Sequence, residues 1–275
     1  MPITDESTLL AALRAAPANR TFNKASQTAE GAGTWHSLWK AAGYPAAGAS
    51  PPAFSAGSGY TPDKSTTGAF PFTNAASNGD AALLKFGAVG ATVGQLIIYD
   101  RLWHCSGFGT VITTAQNVTT PGNLPAGRDP NSGLDVEVWG EVYTAPGAST
   151  ATWTLTGTDG LGNASKNWTY THPANAESVG QMFPFMPGGG APATVNTMRQ
   201  LTSFIASATS GTAGDIGITL LRRLASIPLN TANVGAILDA LATGLPTVYN
   251  DACLAFMVQC STTNTGFMLG ELAVG

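Results

Sequence analysis

Three histidines, His36, His104 and His172, are the side chains of this 275-residue chain best suited to proton transfer. Its three cysteines, Cys105, Cys253 and Cys260, are the best suited to nucleophilic attack or to soft-metal binding. His104 and Cys105 are neighbours in Tyr99-Asp100-Arg101-Leu102-Trp103-His104-Cys105, which on paper offers a thiol–imidazole couple. Adjacent residues of a strand point to opposite faces, so the two side chains would not meet if this apolar segment is extended. No GxSxG elbow and no HExxH run occurs, so the serine-hydrolase and zinc-protease signatures are missing. The cysteines form no CxxC pair, and Cys253 and Cys260 would face opposite ways on one strand. Small buried hydrophobes in a reducing compartment of synthesis are the expectation for all three.

Two further motifs invite a chemical reading. Gly87-Ala88-Val89-Gly90-Ala91-Thr92-Val93-Gly94 is glycine-rich like a phosphate loop but lacks the Gly-Lys-Ser/Thr ending, so a turn is expected. Asp159, Gly160 and Asn163 could offer oxygens to calcium, yet their spacing is not that of an EF-hand loop and the same residues make hairpin turns. Asn19, Asn117, Asn163 and Asn167 stand in Asn-X-Ser/Thr sequons, which a Thr-rich chain without a secretory signal contains by chance. No metal, no cofactor and no enzymatic activity are expected.

The elements that would carry these residues follow from periodicity. Thr4 or Asp5 can cap a helix running through Ala16, with Leu9, Leu10 and Leu13 as its apolar stripe and Pro17 as its stop. Trp35, Leu38, Trp39 and Ala42 recur at helical spacing and predict a second short helix over Thr34 to Ala42, closed by Gly43. From Gly43 to Asp80 the chain is rich in Gly, Pro and Ser with scattered aromatics, too long for a passive loop, and an extended arm laid over another surface is expected. The expected division is therefore 1–80 for the helices and arm, and 81–275 for the body.

After Ala81 the period changes to two. Val136, Val138, Gly140 and Val142 alternate with Asp135, Glu137, Trp139 and Glu141. Ala151, Trp153 and Leu155 alternate with threonines, and after the turn at 158–163 Trp168 and Tyr170 resume the buried face of a hairpin. Strands are predicted at Gln95–Cys105, Met198–Ala206, Asp215–Ile227, Ala252–Cys260 and Phe267–Val274. One helix near 231–243 is predicted between them, capped by Asn230 or Thr231, with Val234, Ile237, Leu238 and Leu241 as its face and Gly244 as its end. The fold class is thus mainly β: an antiparallel β-sandwich, for which a jelly roll is one topology, with short N-terminal helices and one inserted helix.

Composition bounds the function. Only 10% of residues are charged, against roughly 25% in an ordinary soluble domain, while 44% are hydrophobic and the net charge is −4. Disorder of the highly charged kind is excluded, and so is nucleic-acid binding as the main task, because Arg222-Arg223 is the best basic doublet. No apolar run approaches the roughly 18 to 20 residues of a bilayer helix, and no signal-peptide pattern opens the chain, so no membrane association is expected. The aromatics Trp35, Trp39, Phe54, Tyr60, Phe70, Phe72, Trp139 and Tyr143 fall on the second predicted helix, on the arm or opposite the valines of 136–142, and are the candidate partner contacts.

Leu96-Ile97-Ile98-Tyr99-Asp100-Arg101-Leu102-Trp103-His104-Cys105-Ser106-Gly107-Phe108 resembles a segment common in virion structural proteins of tailed bacteriophages. Thr113-Thr114-Ala115-Gln116-Asn117-Val118, the strand over 136–143, the Thr158-Asp159-Gly160 turn and Asn250-Asp251-Ala252-Cys253-Leu254-Ala255-Phe256-Met257 look like the same family in the same order, so that the resemblance covers roughly 81–275. The resemblance implies a non-enzymatic virion protein, most like a capsid decoration (cement) protein. It would be made in the host cytoplasm and bound to the major capsid protein on the outer capsid surface as a homotrimer. The alternatives are a tail, neck or baseplate component, or a receptor- or glycan-binding module using Trp103, Trp139 or Tyr143.

Overall fold

The computed structural model describes residues 3, 5–15, 20–26, 30–48, 59–118, 124–175, 177–264 and 266–275. The first elements are α1 (Glu6–Ala15), β1 (Arg20–Ala25), β2 (Trp35–Ser37), β3 (Gly43–Tyr44), β4 (Leu83–Gly90), β5 (Gly94–Gly109) and β6 (Gln116–Asn117). β7 (Val136–Thr144), β8 (Ala151–Asp159), β9 (Lys166–His172), β10 (Gln181–Pro184), β11 (Met186–Pro187) and β12 (Met198–Ala206) follow. The chain closes with β13 (Asp215–Leu229), β14 (Ala236–Leu238), α2 (Ala240–Thr243), β15 (Leu254–Cys260) and β16 (Phe267–Val274). The fold is mainly antiparallel β, as the alternation predicts.

The chain forms two compact units rather than an arm and a body. One comprises Met1–Ala49, Asp63–Asp100 and Arg223–Gly275; the other comprises Ser50–Pro62 and Arg101–Arg222. The division falls inside β5 and inside β13, so each of these long strands contributes to both units.

The first unit holds a five-stranded sheet in the order β14-β4-β16-β1-β3. Its second layer pairs β2 with β15 and β15 with the first half of β5, Met257 opposite Ser37 and Ile97. Phe22 of β1 and Phe86 of β4 meet Phe256 of β15, with the Phe22 and Phe256 rings stacked 4.3 Å apart, so the two layers close on an apolar core as a sandwich does.

Described parts of the 1–80 segment, expected to be helices and an arm, are sewn into this unit. β1 pairs along its whole length with β16, Arg20 opposite Leu272 and Ala25 opposite Phe267. The Phe70 amide donates to Leu254 O at 2.9 Å, and Trp39 packs with Ala69, Cys253 and Ala255. Over 74–78, side chains replace a sheet ladder: Asn74 exchanges hydrogen bonds with Asp251 and Asn250 bonds Ala75. Of the aromatics of 43–80, Phe70 and Phe72 find apolar cover within the chain instead of on another surface.

Both short-helix expectations at 34–42 and 231–243 are corrected. Trp35–Ser37 is a strand on β15, and Leu38 and Trp39 are buried by the bend after it, where an amphipathic helix would have left one side in water. In the second, Ile237 pairs opposite Gly87 on β4, leaving only Ala240–Thr243 helical, capped by Asp239 instead of Asn230 or Thr231. Gly244 ends it in the left-handed region at φ 70°, as expected. α1 forms where predicted, with Asp5 Oδ1 accepting from the Thr8 amide at 2.8 Å.

Lys24 on β1 is 1% exposed and donates to the carbonyls of Ala41 and Pro45 at 3.1 and 2.6 Å. Burial lowers its pKa to about 8. Between about pH 8 and the ordinary lysine range near 10.4, the unfolded chain keeps a proton that the folded chain has released, so this group makes stability rise with pH there. Unfolding free energies of the parent and of Lys24→Met, compared from pH 7 to 10, should show the parent gaining on the variant above pH 8. Parallel curves would mean that Lys24 does not titrate in that window.

The second unit holds a five-stranded sheet in the order β11-β9-β8-β12-β6. Its second layer pairs β10 and the first half of β13 with β7, Met182 and Gly217 both lying opposite Glu141. The β8–β9 hairpin matches the sequence reading: Trp153 pairs with Tyr170, Leu155 pairs with Trp168, and burial alternates strictly along β8. Trp153, Leu155, Trp168 and Phe204 from one layer share a core with Val136, Val138, Val142 and Ile218 from the other.

Candidate functional site

The densest polar cluster of the second unit lies on β5, β7 and β13. Arg101 Nη2 donates to Glu141 Oε2 at 2.7 Å, and it lies 2.8 Å from His104 Nδ1 and 3.2 Å from both Tyr143 Oη and Thr219 Oγ1. Thr219 Oγ1 is 2.6 Å from His104 Nδ1. Tyr143 donates to Glu141 Oε2 at 2.7 Å, while its oxygen lies 3.3 Å from His104 Nε2. One proton arrangement satisfies these contacts: Nδ1 accepts, Nε2–H points to Tyr143, and Glu141 is the anion facing Arg101.

Electrostatics agree with that arrangement. Burial and the Arg101 charge hold His104 well below the usual imidazole pKa, so it is neutral. Burial disfavours the guanidinium of Arg101, but Glu141 and the tyrosines more than offset this and raise its pKa. Burial and Glu141 push the Tyr143 hydroxyl well above its ordinary value. The cluster is closed around by backbone: Tyr60 and His104 exchange amide hydrogen bonds at 2.8 and 3.0 Å, and Arg128 donates to Pro62 O and Arg101 O. A methyl group on Gly217 would lie 2.6 Å from both the His104 and Tyr143 rings, so the close packing needs glycine there.

With Arg101 2%, His104 0% and Glu141 0% exposed, this is a buried electrostatic tie between three strands. The sequence reading missed it. On a regular strand Arg101 and His104 would face opposite ways, and the link from Arg101 to Glu141 spans 40 residues. The expected separation of His104 from Cys105 holds: Cys105 lies in the apolar core, and burial pushes its thiol up to about 12. All three cysteines are buried and none is in a disulfide.

A second cluster joins Tyr170, His172 and Glu177. Tyr170 donates to Glu177 Oε1, His172 Nδ1 is 3.3 Å from Glu177 Oε2, and His172 Nε2 lies 2.8 Å from Gly147 O. Burial raises the carboxyl of Glu177 against the opposing pull of Tyr170 and His172. The His172 ring stacks on Trp153 at 4.6 Å, which covers its face. In the first unit, His36 Nε2 is bound by Thr34 and the Gly31 amide, and burial lowers its pKa to about 4.

The remaining motifs resolve as turns and strands. Gly87 and Gly90 lie in β4, with the turn at 91–93. Both oxygens of Asp159 serve its own turn, accepting from Asn163 and from the Thr194 amide. Among the described residues no group of three or more His, Cys, Asp or Glu could hold a metal ion, and no helix is long and apolar enough to cross a membrane.

The candidate contact aromatics divide. Trp39, Phe70, Phe72 and Trp139 are buried within the chain, so they offer no surface to a partner. Trp139 lies under cover on the face opposite the valines, its indole donating to Glu137 at 2.8 Å. Trp35, Tyr60 and Tyr143 are half-buried, and Phe54 lies outside the described residues. Trp103 and Trp139, at 1% and 5% exposure, make no sugar-stacking platform.

No protein-family model matches the chain, and no curated protein matches it. Solved structures aligned with it include the infectious bursal disease virus VP2 subviral particle, at 7% identity and TM-score 0.22 over 93% of this chain and 79% of that one. The D431N mutant VP2 of the same virus, in its T=1 particles, aligns at 8% identity and TM-score 0.18 over 94% and 77%. The structure of the Gx strain of that virus aligns at 9% identity and TM-score 0.20 over 93% and 79%. Likeness at these scores carries no argument about fold or function.

Proposed function

We propose that this chain is a non-enzymatic virion structural protein that binds the outer face of a capsid shell as a decoration or cement protein. Its partner would be the major capsid protein, and it would sit there as a homotrimer. The observation that carries this reading is where the charge lies. Of 28 charged residues, nine are buried: Lys24, Glu30, Asp100, Arg101, Arg128, Glu141, Asp159, Glu177 and Arg222. About a third of an already small complement is thus withdrawn from water, and the surface is left to neutral polar and apolar groups. Leu161, Val234, Ile237 and Leu241 stand 53% to 82% exposed. Such a surface is poor at keeping single copies apart and good at staying in contact once docked.

The phage-like segment at 96–108 supplies the particle to which the contact would belong. The mechanism is mass action: a protein that binds only the assembled shell lowers the free energy of that state and opposes its rupture. Buried ties such as Arg101–Glu141 would let the bound lobe bear load without shearing its strands.

Purified protein added to mature heads that lack it should bind and raise their rupture temperature. Failure to bind heads, together with retention on tails, would move the protein to the tail, neck or baseplate. Binding to neither, together with capture on a glycan array, would replace the structural reading with a receptor module.

A further inference from the structure

α1 lays one face on the first unit and turns the other to solvent. Leu9 and Ala12, with Ile3, pack against Ala82, Leu84 and Ala273. Beside that face Leu13, one turn from Leu9, is 43% exposed at its rim, and Leu10, turned further out next to the small side chain of Ala11, is 42% exposed. An open hollow of about 530 Å³ runs along this side, lined among the described residues by Asp5, Glu6, Ser7, Leu10, Ala11 and Arg14. A folded helix that keeps two leucines half in water is short of a neighbour.

The charges of the helix identify that neighbour. Glu6 and Arg14 are both exposed and lie four residues before and four residues after Leu10, each about 6 Å from it along the axis. In two copies of α1 packed antiparallel about Leu10, residue 10 − k lies opposite residue 10 + k. Glu6 of each copy then faces Arg14 of the other, and the two leucines meet in the middle. A parallel pair would instead set Glu6 against Glu6 and Arg14 against Arg14. The face is therefore complementary to itself under a two-fold rotation, as an isologous contact requires, and Ala11 lets the backbones approach.

We infer that α1 is a two-fold contact surface whose occupant is the α1 of a second copy of this chain, antiparallel and centred on Leu10. This does not rest on the capsid reading. The contact is small, and exposed ion pairs contribute little each, so it forms at high local concentration more readily than in dilute solution.

Cross-linking of the full-length chain tests it. In Leu10→Cys the new thiol would sit on the two-fold axis, and the native cysteines are buried and silent. Under mild oxidation Leu10→Cys should form a disulfide-linked dimer at least tenfold faster than Thr113→Cys, an exposed site in the other unit. Adding Glu6→Arg should slow the reaction severalfold by setting like charges face to face, and adding Arg14→Glu as well should restore it. Melting temperatures equal to the parent would show that the variants are folded. A Leu10→Cys rate no higher than that of Thr113→Cys, or a charge-swapped double variant no faster than Glu6→Arg, would overturn the inference.

Discussion

Arg101→Leu lowers the unfolding free energy by about 3 to 5 kcal/mol, because it leaves Glu141 as a carboxylate at 0% exposure without its cationic partner. Tyr143 still donates to Oε2, but a hydroxyl does not balance a full charge, and Oε1 of Glu141 is already without a hydrogen-bond partner. The loss therefore measures a stranded anion rather than the strength of one bond. Removing the anion too should recover much of it: Arg101→Leu with Glu141→Leu should cost clearly less than the sum of the single changes. Urea denaturation of the four chains supplies the cycle. Additive losses would show that the two side chains contribute separately and that no tie exists between β5 and β7.

Trp153→Ala costs about 3 to 5 kcal/mol through the cavity it opens. Its indole is 0% exposed and stands 5.4 Å from the Phe183 ring, 5.7 Å from Tyr170 and 4.6 Å from His172, so its loss removes the centre of an aromatic group drawn from β8, β9 and β10. Trp153→Phe keeps much of that contact and deletes an indole N–H that has no hydrogen-bond partner, so it should lose less than half as much. Thermal unfolding followed by near-ultraviolet circular dichroism reads both. An unchanged melting temperature for Trp153→Ala would place the residue outside the core.

The parts of this fold that were legible from sequence are those where burial differs between the two faces of one strand. β8 alternates strictly and was placed correctly with its partner β9; β12 and β16 were bounded to the residue by turn chemistry on either side. Along β5 nearly every residue is buried, so an alternating pattern had no contrast to report and the meeting of Arg101 with His104 was invisible. Glu141 was placed on the watery face of its strand for the same reason. The failed helix over 231–243 is a case of tertiary override: Val234, Ile237 and Leu241 have helical spacing, but the ladder between β14 and β4 takes the backbone of 236–238, and all three side chains are exposed. The spacing of Trp35, Leu38 and Trp39 misled likewise, since a strand end and a bend can bury the same residues as a helical turn. The candidate site was not legible because it needs three strands brought together from residues 101, 141 and 219.

The order of strands in the first unit also sets a timetable for synthesis. β16 lies between β4 and β1, which the ribosome delivers far earlier. Until the chain has passed Val274, those two strands have no shared neighbour, and both present open edges while the contiguous run 101–222 of the second unit is already complete. The nascent chain therefore carries one half able to fold early and one half that must wait. A chain stopped before Phe267 would leave two edges unpaired at once, open to pairing with other chains.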